Sequence, residues 1–85
     1  MEKLHCIIVD DDEMDRLVVV SYAKRFSQLN VVGVFDSAEK ALVFLENNSV
    51  DVAFLDIELK GASGIELRQK ASEIPVCVFI SSHSE

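Results

Sequence analysis

Leu4-His5-Cys6-Ile7-Ile8-Val9-Asp10-Asp11-Asp12 is the stretch on which the fold turns. A short, nearly continuous apolar run breaks at once into three carboxylates. Two later segments repeat the plan: Val52-Ala53-Phe54-Leu55 runs into Asp56, and Val76-Cys77-Val78-Phe79-Ile80 runs into Ser81. Runs this short and this rich in β-branched or aromatic residues suit strands covered on both faces of a parallel sheet. In an open α/β sheet, ligands bind beyond the carboxyl ends of the strands. Carboxylates far apart in the sequence would then converge on one place.

Helical and extended patterns alternate between these runs. From Glu13 to about Ser27 the apolar residues Met14, Leu17, Val18, Tyr22 and Phe26 recur at helical spacing. A strand is expected at about Val31 to Phe35. Ser37 is a suitable N-cap for a helix carrying Ala38, Ala41, Leu42 and Leu45, with Glu39 near its positive end. Asn47-Asn48-Ser49 stops that helix. Lys60-Gly61-Ala62-Ser63-Gly64 reads as a loop, followed by a short helix from Ile65 to about Ser72, and Pro75 fits the start of the last strand. β–α–β units of this length need right-handed crossovers, which gives a parallel sheet with helices on both faces.

The chain has 85 residues, 49% of them hydrophobic, enough for one small domain with a packed core. Its stability margin is expected to be thin, because a domain of this size buries only about 60–65% of its unfolded surface. The net charge is -7, from 15 acidic and 8 basic residues, which disfavours sequence-independent nucleic-acid binding and an anionic membrane surface. No apolar run approaches the roughly 20 residues of a membrane span, and Met1-Glu2-Lys3 leads into no signal-peptide pattern. A soluble, cytoplasmic protein is expected. Cys6 and Cys77 both fall in expected core strands and read as buried small hydrophobes rather than as a disulfide or zinc ligands.

Asp10, Asp11 and Asp12 follow the first strand directly, and Glu13 and Asp15 extend the acidic run. Acids suit a helix N-terminus, so Asp12 or Glu13 is expected to cap the helix. The two remaining acids exceed that requirement. Crowded carboxylates disfavour one another's ionisation unless a cation offsets them. Mg2+ does so well, because it accepts carboxylates while keeping several waters. Asp56 alone would read as a strand-terminating turn acid. Beside Asp10, Asp11 and a magnesium ion, it becomes a candidate nucleophile toward phosphorus. Ser81 offers a hydroxyl donor for phosphoryl oxygens. His5 reads as structural, and Ser82, His83 and Ser84 as loop polarity.

With these residues in view the chain resembles a two-component response-regulator receiver domain. The resemblance is carried by Cys6-Ile7-Ile8-Val9-Asp10-Asp11-Asp12-Glu13, by Asp51-Val52-Ala53-Phe54-Leu55-Asp56-Ile57-Glu58-Leu59, by the Gly61–Gly64 loop, and by Pro75 through Phe79-Ile80-Ser81-Ser82-His83. The second and third motifs are similar in phrasing to receivers of the LytTR-linked type. The resemblance implies a flavodoxin-like fold and a phosphoacceptor switch. Asp56 would be the phosphoacceptor, with Asp10, Asp11, Asp56 and the backbone carbonyl of Glu58 holding Mg2+, Asp11 directly and Asp10 through water. Ser81 would be the switch hydroxyl. The phosphoryl donor would be a sensor histidine kinase, and the signal would pass to an output domain or partner outside this chain. Catalysis would extend no further than the domain's own phosphorylation and dephosphorylation.

Two departures accompany the resemblance. Lys60 stands where the family usually has a proline, four residues after the phosphoacceptor. Residues 1–85 also read as an incomplete receiver that lacks the last helix–strand–helix portion, and with it the fifth-strand lysine. The strand ending at Ile80 would then be an exposed sheet edge, next to an apolar patch, that favours self-association. Two other classes fit less well. A haloacid-dehalogenase-like phosphatase would use Asp10, Asp12 and Ser81, but the chain is short for it, Met14 stands where Thr or Val is preferred, and Asp56 has no role. A degenerate receiver would act only as an interaction module.

Overall fold

A computed structural model describes residues 3–59 and 61–80. Seven elements alternate along them: β1 (Leu4–Val9), α1 (Glu13–Ala23), β2 (Leu29–Phe35), α2 (Ala38–Asn47), β3 (Val52–Asp56), α3 (Gly61–Ala71) and β4 (Val76–Ile80). The strands form one parallel sheet in the order β2-β1-β3-β4. The parallel order is the one expected from the alternation, and it is the flavodoxin-like arrangement that the resemblance implies. β1 lies inside the sheet, paired with β2 and β3, and its residues from Cys6 to Val9 are fully buried. No helix among the described residues is long and apolar enough to cross a membrane.

The register sorts side chains by face. Ile7, Ala53 and Cys77 lie side by side across β1, β3 and β4, and point the same way. They meet Ala38, Ala41 and Leu45 of α2 and Leu67 and Ala71 of α3 in the main core. Cys6 and Val52 alternate to the opposite face. There α1 packs on β1 and β2, burying Ala23. The two thiols are therefore free and on opposite faces. Burial raises the pKa of both.

Three expectations need correction. α1 ends at Ala23 rather than near Ser27, because Arg25 and Phe26 donate to carbonyls only three residues back, to Tyr22 and Ala23. Its periodic apolar residues also do not face the core: Met14 is 70% exposed and Val18 63%. The helix carries a second apolar stripe, Val19, Val20 and Ala23, and the sheet takes that one. Helical periodicity cannot choose between two stripes.

The loop expected at Lys60–Gly64 is mostly helix, since α3 already begins at Gly61. Both glycines have specific work there. Gly61 has φ +78, a backbone that side chains resist, and a Cβ on Gly64 would come within 2.5 Å of the Leu59 carbonyl oxygen. The pair sets a tight entry into α3 rather than a loop. β4, expected as an exposed sheet edge beside an apolar patch, is not covered on both faces among the described residues. It is the last described strand of the sheet, with Phe79 50% and Val76 48% exposed, and Cys77 is only half-buried.

Candidate acidic metal and phosphoryl site

Asp10 follows the last residue of β1, and Asp56 closes β3. Because Val9 pairs with Leu55 in the parallel register, the next residues on the two strands emerge side by side. Asp11 follows on the loop. A carboxylate oxygen from each of Asp10, Asp11 and Asp56 lies within 4.8 Å of the others. Asp10 and Asp56 are buried, at 0% and 2% exposure, while Asp11 is open to solvent. Residues 46 positions apart thus become neighbours through strand pairing alone.

Each strand end is held by the same device. The Asp12 N–H donates to Asp10 Oδ1 at 2.9 Å, and the Glu58 N–H donates to Asp56 Oδ1 at 2.9 Å. A side chain that accepts from the N–H two residues on is an Asx turn, which fixes the rotamer of the aspartate as well as the bend of the chain. The second oxygen of each carboxylate is left for the shared space. Asp10 Oδ2 is buried with no hydrogen-bond partner among the described residues. A buried acceptor left without a donor or cation costs free energy on the order of 1–3 kcal/mol.

The electrostatics follow from that burial. The Asp10 carboxyl is pushed from its ordinary 3.8 up to about 6, first by burial and then by the charge of Asp56, against the pull of the Asp12 N–H. A cation at this point would offset the charge of Asp56 and favour the ionised carboxylate despite its burial. Three carboxylates on a half-open site, with one buried oxygen unpartnered, suit a hard divalent ion that keeps some of its water.

Other residues in the acidic run have separate tasks. Asp12 Oδ2 accepts from the Asp15 N–H at 2.9 Å and is the N-cap of α1, with Glu13 and Asp15 in the first turn. Ser37 caps α2 by accepting from Lys40 N at 3.2 Å, as its position implied. Beyond Asp11, a cleft of about 410 Å3 opens between the starts of α2 and α3, lined in part by Ser37, Gly61 and Ser63. His5 serves the sheet through its backbone, exchanging hydrogen bonds with Asp51.

Ser81 and Lys60 lie outside the described residues, as do Ser82, His83 and Ser84. The residue before Ser81 is placed: the Ile80 carbonyl accepts from Ile57 N at 3.0 Å, so β4 ends level with the turn after Asp56. Sequence reasoning passed over Arg16. Its Nη1 donates to the main-chain carbonyl of Asp10 at 2.9 Å. The available signal was its place as the first cation after an acidic run, one turn into α1.

Comparison with known proteins converges on one family. The model of the response regulator receiver domain matches residues 6–85. Transcriptional regulatory protein YpdB of Escherichia coli K12 is 37% identical over 82 residues, covering 93% of this chain and 34% of YpdB. The chain thus spans about a third of the length of the curated relatives it matches. The crystal structure of the response regulatory domain of protein MrkE from Klebsiella pneumoniae superposes with a TM-score of 0.81 at 34% identity, covering 96% of this chain and 70% of that one. A chain in the crystal structure of the P1 domain of CheA3 in complex with CheY6 from R. sphaeroides also gives 0.81, at 29% identity, covering 98% of this chain and 67% of that one.

Proposed function

This chain belongs to the response-regulator receiver-domain family, and from that premise we propose that it is a cytoplasmic phosphoacceptor switch with Asp56 as the acceptor. Receiver domains of two-component systems are signalling modules that work with histidine kinases and output domains. Here the donor is a phosphohistidine on a sensor kinase. The recipient of the signal is an output domain or partner outside this chain.

The Glu58 N–H holds Asp56 Oδ1 and so orients the carboxylate, one oxygen of which attacks the phosphorus. A new O–P bond forms as the P–N bond of the phosphohistidine breaks, and the electron pair returns to the imidazole nitrogen. The product is an acyl phosphate, later lost to water. Asp10, Asp11 and Asp56 would hold Mg2+, with the Glu58 carbonyl completing the protein's share of its shell. When bound, the ion offsets the charge of the incoming phosphoryl oxygens. Ser81 donates its hydroxyl to one of those oxygens, coupling the phosphoryl group to the end of β4. The buried Oδ2 of Asp10, unpartnered among the described residues and beside Asp56 and Asp11, is the observation that most strongly supports this reading.

Among the described residues β4 is the last strand, with Val76 48% and Val78 39% exposed, a flank that would suit a second copy. Phosphoryl label from a phosphohistidine donor tests the main reading. Label on Asp56, lost in Asp56→Asn and dependent on magnesium, is the expected result. Label on Asp10 would favour the dehalogenase-like chemistry instead, and no label would leave an interaction module.

A further inference from the structure

Arg16 lies in the second turn of α1, half-buried, with its guanidinium on the Asp10 carbonyl oxygen at 2.9 Å. That oxygen belongs to the peptide joining Asp10 to Asp11. A peptide is planar, so anchoring its oxygen fixes the Asp11 N and Cα along with the Asp10 carbonyl. Asp10 is already held by the Asp12 N–H and by its own N–H to the Phe35 carbonyl at 3.1 Å. Asp11 differs: its carboxylate is exposed and accepts no hydrogen bond among the described residues. The direction of Asp11 therefore depends on the backbone that carries it.

We propose that Arg16 is a positioning residue for the magnesium site, aiming the Asp11 carboxylate through the Asp10–Asp11 peptide rather than through its own charge. The inference rests on the reading of Asp10, Asp11 and Asp56 as magnesium ligands. Asp36, whose carboxyl Arg16 also pulls down, is already paired with Lys40 at 3.0 Å, so neutralising Asp36 does not account for the arginine.

Charge and hydrogen bond make opposite demands, which gives the test its sign. A cation next to a magnesium site repels the ion, so Arg16 acting by charge alone would weaken binding, and its removal would tighten it. A guanidinium that holds the ligand peptide strengthens binding, and its removal loosens it. Partners that orient metal ligands are commonly worth 10–100-fold in affinity. The Asp10 carbonyl is one bond system removed from the ligand atom, so a loss of roughly tenfold is expected.

The experiment is a magnesium titration followed by amide NMR shifts of Asp11 and Asp56, on the wild-type chain, Arg16→Met, Arg16→Gln, Arg16→Lys and Asp11→Asn. Urea unfolding of each in EDTA reports folding separately. Arg16→Met is expected to weaken the magnesium Kd about tenfold, and Arg16→Lys, which keeps a donor, to recover part of that. If Arg16→Met unfolds, Arg16→Gln carries the same prediction, since it removes the charge and the reach of the fork. Unchanged or tighter binding in the folded variants overturns the proposal. If the wild-type chain fails to bind magnesium, or Asp11→Asn binds equally well, the reading of the site itself falls and this proposal with it.

Discussion

Replacing Asp10 by asparagine should make the magnesium-free protein more stable at neutral pH, although it removes a residue of the proposed site. Asp10 is fully buried, its Oδ1 accepts from the Asp12 N–H, and its Oδ2 has no partner among the described residues. Its carboxyl is raised from 3.8 to about 6. The sign follows from linkage. A raised folded pKa means that the unfolded chain ionises first, so folding is favoured by the neutral carboxyl below about pH 4, and that advantage is lost as pH rises through about 6. Above pH 6 the folded state carries a buried charge that costs about 3 kcal/mol, from roughly two pKa units at 1.36 kcal/mol each.

Asp10→Asn keeps an acceptor for the Asp12 N–H, has no charge to bury, and presents an N–H on the side facing Asp56. Urea unfolding in EDTA should show the variant ahead by up to about 3 kcal/mol at pH 7.5, or roughly 2 M in midpoint for a domain of this size. The difference should shrink toward zero at pH 4. Magnesium should narrow the difference at pH 7.5, because an ion that binds only the folded state at 100 times its Kd adds about 2.7 kcal/mol. A variant no more stable than its parent at pH 7.5, or a gap independent of pH, would refute the claim that burial of this charge is costly.

Three further outcomes are expected. Asp12→Ala removes the N-cap of α1 and should cost about 1 kcal/mol, seen as a fall of roughly 4–8 °C in Tm, because the Asp15 N–H loses its acceptor. Gly64→Ala places a Cβ 2.5 Å from the Leu59 carbonyl oxygen, so α3 must shift away from the end of β3; destabilisation on the order of 1–3 kcal/mol by urea unfolding is expected. Val78→Lys puts a charge on the exposed flank of β4 and should lower the sedimenting mass of a self-associated chain at micromolar concentration. A wild-type chain that sediments there as a cooperatively folded monomer would remove the basis for self-association.

What the sequence determined by itself was the alternation of elements and the places where it stops. Apolar runs ending in Asp10 and Asp56 are local patterns, and so are the caps at Asp12 and Ser37, whose side chains bond within three residues. Such signals need no distant partner, which is why they could be read directly. Gathering Asp10 with Asp56 required the parallel order as well, and the strand-end rule for α/β sheets supplied it.

Only the tertiary structure decided which stripe of α1 meets the sheet. Both stripes have helical period, and only the packing of α1 on β1 and β2 shows which is buried. The same holds for Gly64, whose necessity comes from the Leu59 carbonyl that a Cβ would strike. Arg16 is the clearest case. Composition marks it as a surface cation, and only the crossing of α1 over the end of β1 brings its guanidinium to the Asp10 carbonyl. Local propensity sets what each segment becomes, but burial, edge position and long side-chain reach depend on neighbours that the linear order does not name.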